Sequence, residues 1–144
     1  MKVRVGIKGI HCERGGLVKI KGRLFADIYS GFNNTLKKEW EMFSTFRAGF
    51  LYHNLHGDER PITLADGDFL NISGFYTATL DTPIGTSPDF LKIGGYLLTN
   101  KSKYEVVTVN DLINITSPKT YWVRFDEGNR SVIAEFELEV TSLY

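Results

Sequence analysis

The side chains best suited to chemistry lie in one short segment. His53 and His56 are three positions apart and are followed by the carboxylates Asp58 and Glu59. Imidazole and carboxylate groups bind zinc and other transition metals when they converge on one ion. Residues three apart on a strand point to opposite faces, so both histidines could bind one ion only if the segment bends or is helical. We therefore interpret them as surface histidines beside a turn, and we expect no metal or other cofactor.

The stretch from His53 to Phe69, which includes Leu64-Ala-Asp-Gly-Asp68, resembles the histidine-rich and Gly-Asp motifs of cupins. The resemblance implies a metal-dependent enzyme in which His53 and His56 converge inside a β-barrel. This sequence departs from the family pattern, because its histidines are not spaced His-x-His and no later histidine completes the ligand set. A cupin-like enzyme is therefore the least favoured of three interpretations of the function.

Other reactive side chains lack the neighbours that their chemistry needs. Asp66 and Asp68 flank a glycine, but the further ligands and the final glutamate of a calcium loop are missing, which favours a plain turn. Cys12 follows His11 beside a Glu-Arg-Gly-Gly turn, and the chain has no second cysteine for a disulfide or a CxxC metal site. The Gly-x-Ser-x-Gly and Gly-x-Gly-x-x-Gly patterns are also absent. The sequence therefore predicts no catalytic residue and a protein that is not an enzyme.

The composition is that of a folded globular protein. Of its residues 42% are hydrophobic and 24% are charged, as is usual for globular proteins. A length of 144 residues is enough for one hydrophobic core and too short for two, so we interpret residues 1–144 as a single domain. Seventeen basic residues balance seventeen acidic ones, so we expect neither direct nucleic-acid binding nor a membrane partner. The first residues alternate charged and apolar types instead of forming a signal peptide, which predicts cytoplasmic synthesis.

Alternation of apolar and polar residues dominates the chain and is typical of half-buried antiparallel strands. It predicts an all-β fold, an antiparallel β-sandwich of jelly-roll or immunoglobulin-like topology. The pair Gly15-Gly16 favours a hairpin between the first two strands. The predicted strands cover Val3–Ile10, Leu17–Tyr29, Gly49–Leu55, Pro61–Leu64, Phe69–Leu80, Leu91–Thr99, Tyr104–Val109, Tyr121–Phe125 and Arg130–Thr141.

One segment, residues 35–46, has a helical pattern. Leu36, Trp40 and Phe43 are spaced i, i+4 and i+7, and the lysines and glutamates between them are good helix formers. The sequence therefore predicts at most one short helix, in this segment. The alternative is a further strand with Leu36, Lys38, Trp40 and Met42 on one face, and packing decides between the two.

The balanced charges are unevenly distributed along the chain. A hairpin of the first two strands would set Lys8 opposite Lys19 and Arg4 opposite Arg23, and like charges directly opposite are destabilising. We therefore expect the acidic last strand to lie beside an N-terminal strand, in the same chain or in a neighbouring subunit. The candidate subunit-contact residues are the two rows at alternate positions, Lys19, Lys21 and Arg23 in the second strand and Glu135, Glu137 and Glu139 in the last.

These patterns favour a non-enzymatic structural protein that contacts copies of itself, or other subunits of a larger assembly, through sheet edges and charge rows. A virion or phage component, such as a capsid accessory or tail protein, fits the size, the neutrality and the lack of catalytic groups. The alternative is a carbohydrate- or ligand-binding β-sandwich module that uses exposed rings and the proline-rich loop from Asp81 to Asp89. The candidate rings are Trp40, Tyr52, Tyr76, Tyr96, Tyr104 and Trp122.

Overall fold

The computed structural model describes residues 1–45, 62–81, 87–97 and 104–141. These residues form ten strands: β1 Lys2–Arg14, β2 Leu17–Ile20, β3 Arg23–Tyr29, β4 Leu36–Ser44, β5 Ile62–Ala65, β6 Phe69–Thr79, β7 Phe90–Tyr96, β8 Tyr104–Val109, β9 Lys119–Glu127 and β10 Arg130–Thr141. A single turn of 3-10 helix, Leu112–Asn114, lies between β8 and β9. Within these ranges no helix is long and apolar enough to cross a bilayer.

The strands form two antiparallel sheets of four strands each. The first sheet has the order β6-β1-β10-β9 and the second the order β4-β3-β7-β8, while β2 and β5 form a small third sheet. Strand β4 contacts β6 along one side of the molecule and β8 contacts β9 along the other, so the two large sheets face each other. The predicted antiparallel β-sandwich is confirmed.

The core lies between the inner faces of the two large sheets. Alternate residues of β3, namely Leu24, Ala26 and Ile28, are completely buried, whereas the residues between them face outwards. Burial of one large apolar side chain stabilises the fold by roughly 1.5–3 kcal/mol. The largest fully buried side chains are Phe43, Phe125, Phe136, Ile7, Ile10, Ile20, Leu24, Ile28, Met42, Leu91, Ile93 and Leu97.

The predicted hairpin between the first two strands is wrong. Strand β1 pairs with β10 and β6, whereas β2 pairs with β5. Gly15 and Gly16, with φ angles of 122° and 71°, turn the chain out of the first sheet and into the small one. The observed pairing places Arg4 opposite Glu139 and so avoids the like-charge pairs of the hairpin.

The predicted helix is also wrong, and the alternative strand is confirmed, because residues 36–44 form β4. The pairing of β4 with β3 skips Met42, which forms a β-bulge. A bulge shifts the alternation of faces by one residue, so Trp40 and Phe43, three positions apart, both pack on the core. Their spacing therefore imitates that of a helix.

The predicted single strand Leu17–Tyr29 is wrong, because the chain leaves the small sheet after Ile20 and enters the second large sheet at Arg23, which gives two strands, β2 and β3. The remaining strand predictions within the described residues agree with the structure to within a few residues. Tyr104–Val109 and Arg130–Thr141 have the bounds that the sequence predicts. The predicted strand Gly49–Leu55 lies outside the described residues, as do His53 and His56. Residues 82–86 of the proline-rich loop lie outside them as well.

Candidate functional site

Charged residues cover the outer surface of the first sheet in two adjacent rows. Because β1 and β10 are direct neighbours, the basic side chains of one stand beside the acidic side chains of the other. In the register of the two strands Arg4 pairs with Glu139, and Gly6 pairs with Glu137. We call this surface the charged face, and it comprises Lys2, Arg4 and Lys8 of β1 and Glu135, Glu137 and Glu139 of β10.

Part of the charged face is neutralised within the chain. Lys8 Nζ lies 3.6 Å from a Glu137 oxygen and 3.8 Å from a Glu135 oxygen. Glu135 also accepts a hydrogen bond of 3.0 Å from Trp122 Nε1. Arg4 instead lies with its guanidinium 3.8 Å from the ring centroid of Phe75, a cation–π contact. Within the described ranges no salt bridge involves Arg4.

A depression of about 390 Å³ interrupts the charged face at Gly6. Gly6 has no side chain, so the surface is recessed between Arg4 and Lys8 on the same strand. The rim also includes Glu137 of β10 and Phe75 of β6, the two residues in register with Gly6 on the neighbouring strands. The recess therefore has positive charge along one strand and negative charge along the next.

The expectation that the last strand lies beside an N-terminal strand is confirmed, but the predicted basic row is not the one involved. Lys19 lies on β2 opposite Thr63, and Arg23 of β3 forms a salt bridge with Glu41 of β4. The basic row beside β10 belongs to β1, the strand that pairs with β10. The alternating Lys2 and Arg4 are the sequence signal that the predicted rows left out. A subunit-contact role for Lys19, Lys21, Arg23, Glu135, Glu137 and Glu139 stays a prediction.

Aromatic rings are grouped on the outer surface of the second sheet. Phe25 of β3 stacks on Tyr104 of β8 with a centroid distance of 5.8 Å, and Tyr29 stacks on Phe90 at 5.3 Å. Gly94 lies in register with Phe25 on β7, the strand between β3 and β8. We call this surface the aromatic face; its rings are Phe25, Tyr29, Phe90, Tyr96 and Tyr104.

Acidic groups lie among these rings. Asp27 of β3 stands opposite Glu39 of β4 and Lys92 of β7. Burial raises the pKa of Asp27 to about 6, the charge of Glu39 adds to the increase, and Lys92 partly offsets it. Arg23 Nε donates a hydrogen bond of 2.9 Å to one carboxylate oxygen of Glu41.

Two carboxylate oxygens at the aromatic face have no hydrogen-bond donor among the residues that the structure describes. Asp27 Oδ1 and Glu41 Oε1 are both buried, and no donor in the described part of the chain reaches either atom. The Glu41 residue as a whole is only 4% exposed. A buried acceptor without a partner is costly, so each oxygen is a position where a ligand donor would be favourable.

Two depressions lie on either side of the stacked Phe25 and Tyr104 rings. One has a volume of about 280 Å³ and extends to Glu41, and the other has a volume of about 320 Å³ and extends to Lys92. Asp27 and both stacked rings line both depressions. The ring pair and Asp27 therefore lie between two partly aromatic depressions, which together we call the groove.

The remaining predicted rings are distributed elsewhere. Trp40 and Tyr76 stack on each other at 5.5 Å, where β4 contacts β6, and thus help to close the sandwich instead of facing solvent. Trp122 is 59% exposed but lies on the charged face. Tyr52 lies outside the described residues. Of the predicted rings, Tyr96 and Tyr104 are the two on the aromatic face, whereas Phe25, Tyr29 and Phe90 were not among the predicted rings.

The other candidate groups have structural roles. Cys12 is buried, and burial raises the pKa of its thiol, which makes it a poor nucleophile. Asp66 accepts a hydrogen bond from the Gly16 amide at 2.8 Å, and Asp68 accepts one from the Ala65 amide at 2.9 Å, as expected for a turn. Over the described ranges no group of three or more His, Cys, Asp or Glu side chains could hold a metal ion.

No protein-family model matches this chain, and comparisons with curated proteins and with solved structures find no match. The functional interpretation therefore depends on the residues of the charged face and the aromatic face themselves.

Proposed function

We propose that this protein is a non-enzymatic assembly subunit that binds a second copy of itself through the charged face. The observation that supports the proposal is the side-by-side arrangement of a basic row and an acidic row in matching register. Such a surface is complementary to itself, because a rotation of 180° exchanges the two rows. Interfaces of this kind are isologous and form closed dimers.

The symmetry defines which side chains would meet. A twofold axis parallel to the strands, above the groove between β1 and β10, places β1 of each copy over β10 of the other. Residues in register within the chain then face each other between chains, so Arg4 meets Glu139 of the second copy. By the same rule Glu137 of the second copy lies over Gly6, in the recess between Arg4 and Lys8.

The size of the face sets the expected strength. Four strands about 4.8 Å apart and roughly ten residues long, with a rise of about 3.3 Å per residue, cover roughly 600 Å² on each copy. The total, roughly 1,200 Å², is at the lower limit for specific interfaces. We therefore expect a reversible, salt-sensitive contact and not a permanent dimer.

The larger assembly that we propose is a virion or phage particle, in which the chain would be a capsid accessory or tail protein. This part of the proposal rests on analogy at the level of the fold, since small β-sandwich subunits are common in such particles. A self-complementary sheet face supports it, because an assembly subunit needs a contact surface and has no need of a catalytic site.

Analytical ultracentrifugation tests the self-association. We expect dimers at about 50 mM NaCl and mostly monomers at about 500 mM NaCl, where the Debye length falls from roughly 14 Å to roughly 4 Å. Glu137→Lys should abolish the dimer at low salt, because it places a lysine between Arg4 and Lys8 of the second copy. Glu105→Lys makes the same charge change on exposed β8 of the other sheet and should leave the dimer intact.

A charge exchange makes the test specific for the proposed geometry. Glu137→Lys and Lys8→Glu should each be monomeric, while an equimolar mixture of the two should form heterodimers, since both contacts between residues 8 and 137 are then between opposite charges. A wild-type protein that stays monomeric at low salt and high concentration contradicts the proposal. So does a mixture of the variants that fails to associate while the wild type dimerises.

A further inference from the structure

The geometry points to a second function on the opposite surface: we infer that the aromatic face binds a neutral, hydroxyl-rich glycan across the stacked Phe25 and Tyr104 rings. The inference is independent of self-association, because the charged face belongs to the other sheet. It rests on three features of the groove, namely partly exposed rings, two buried acceptors that no donor among the described residues reaches, and charged side chains of both signs.

The rings give the surface on which a sugar packs. Tyr104 is 55% exposed and lies on an outer strand of the sheet, with Phe25 stacked beside it. A pyranose ring has an apolar face of C–H groups, which buries well against an aromatic ring of similar width. The two depressions, of about 280 and 320 Å³, extend from this pair in opposite directions, so a chain of several sugars could cross it.

The acceptors give the polar complement. Ionised carboxylates only accept hydrogen bonds, and Asp27 Oδ1 and Glu41 Oε1 are buried at the groove without a donor among the described residues. Both oxygens are covered from solvent, so a sugar hydroxyl reaches one of them only when the carboxylate turns towards the depression beside it. A hydroxyl that donates to Asp27 or Glu41 would relieve the unfavourable burial of that oxygen.

The charges favour a neutral ligand over a cationic one. Lys92 Nζ already lies 5.2 Å from the ring centroid of Tyr29 and 5.9 Å from that of Phe90, so these rings have a cation of the chain's own over them. Arg23 already pairs with Glu41. An arginine or lysine from a partner would meet these two positive charges, whereas a hydroxyl both donates and accepts and matches acids and bases alike.

Binding can be measured with defined hexasaccharides. The probes are β-1,4-linked glucose, β-1,4-linked N-acetylglucosamine, β-1,4-linked xylose and α-1,4-linked glucose, titrated by calorimetry and by NMR of the wild-type protein. We expect at least one to bind and to perturb the resonances of the aromatic face. Tyr104→Ala and Phe25→Ala should each weaken that binding about tenfold, the effect expected for loss of one stacked ring.

The chain offers matched controls. Trp122→Ala removes an equally exposed ring from the charged face, and it should change the affinity by less than about twofold. Asp27→Asn keeps the shape of the side chain but replaces one carboxylate oxygen by an NH2 group. It should also weaken binding, and because the packing is unchanged, such a loss would indicate a direct contact between Asp27 and the sugar. Circular dichroism of each variant verifies folding.

The result that overturns the inference is equally definite. It is wrong if none of the four hexasaccharides binds at about 10 mM, or if binding is unaffected by Tyr104→Ala and by Phe25→Ala. An arginine-rich peptide that binds the aromatic face in place of the sugars would also overturn it and identify the surface as a peptide site.

Discussion

Replacement of Asp27 by asparagine should stabilise the folded protein at neutral pH. The Asp27 carboxylate is partly buried between Phe25 and Tyr29, opposite Glu39, and one of its oxygens has no donor among the described residues. Lys92, from the other neighbouring strand, offsets only part of this cost. Asparagine has nearly the same shape and no charge, so Asp27→Asn removes the cost and keeps the packing.

The magnitude follows from the pKa. An Asp27 pKa of about 6 in the folded protein, against an ordinary value of 3.8 for an aspartate, corresponds to about 3 kcal/mol in the absence of screening. Because the side chain is only partly buried, solvent screens the charge, and we expect about 1–2 kcal/mol.

The sign of the pH dependence follows from proton binding. The folded protein binds the Asp27 proton more tightly than the unfolded chain does, so this group lowers the free energy of unfolding as the pH rises from about 4 through about 6. At pH 7.5 the carboxylate is ionised in both states and the full cost is present. The advantage of Asp27→Asn should therefore be largest at pH 7.5 and decrease as the pH falls towards 4.

Urea unfolding of the two proteins between pH 4 and pH 8 measures this difference directly. The other titrating groups act similarly in both proteins and largely cancel. Tyr104 and Glu39, which face Asp27 from β8 and β4, stay in place in both. An Asp27→Asn protein that is less stable than the wild type at pH 7.5, or a difference that does not change with pH, would contradict an unfavourable burial of the Asp27 charge.

Two further substitutions test the packing of the second sheet. Lys37→Ala removes the ammonium group 2.7 Å from Asp89, whose side chain is 3% exposed, so we expect the free energy of unfolding in urea to fall by about 2–4 kcal/mol. Lys38→Ala, at the exposed neighbouring position, should lower it by less than about 0.5 kcal/mol, and equal losses would contradict a role for the ion pair. Gly95→Ala would bring a Cβ within 2.1 Å of the Arg23 carbonyl oxygen at a φ of 139°, so we expect the free energy of unfolding to fall by more than about 3 kcal/mol. Gly16→Ala, where no atom lies within 4 Å of the added Cβ, should lower it by about 1 kcal/mol. A Gly95→Ala protein as stable as Gly16→Ala would show that the strands can move apart to accept the Cβ.

Much of the fold could be predicted because alternation with a period of two is visible in a single sequence. Tyr104–Val109 and Arg130–Thr141 have the bounds that alternation alone predicts. The strand partners could not be predicted with the same success, because alternation shows which face of a strand is buried and not which strand lies beside it. The Met42 bulge adds a second difficulty, since one extra residue changes the apparent period of β4.

The candidate surfaces were harder to predict than the strands. The acidic row of β10 was visible in the sequence, but its basic neighbour depended on the unpredicted pairing of β1 with β10. Phe25 and Tyr104 are far apart in the chain and meet because β3 and β8 both pair with β7. Both surfaces are thus products of sheet order, which a single sequence does not reveal.

The pairing of β1 with β10 also constrains how the chain can fold during synthesis. Val3 is in register with Val140, so the central pair of the first sheet closes one of the longest loops that the chain allows. On the ribosome β6 can pair with one edge of β1 early, but the other edge of β1 has to wait until β10 emerges. A fold dominated by such distant contacts forms slowly, and the waiting strand is a natural site for a chaperone to hold.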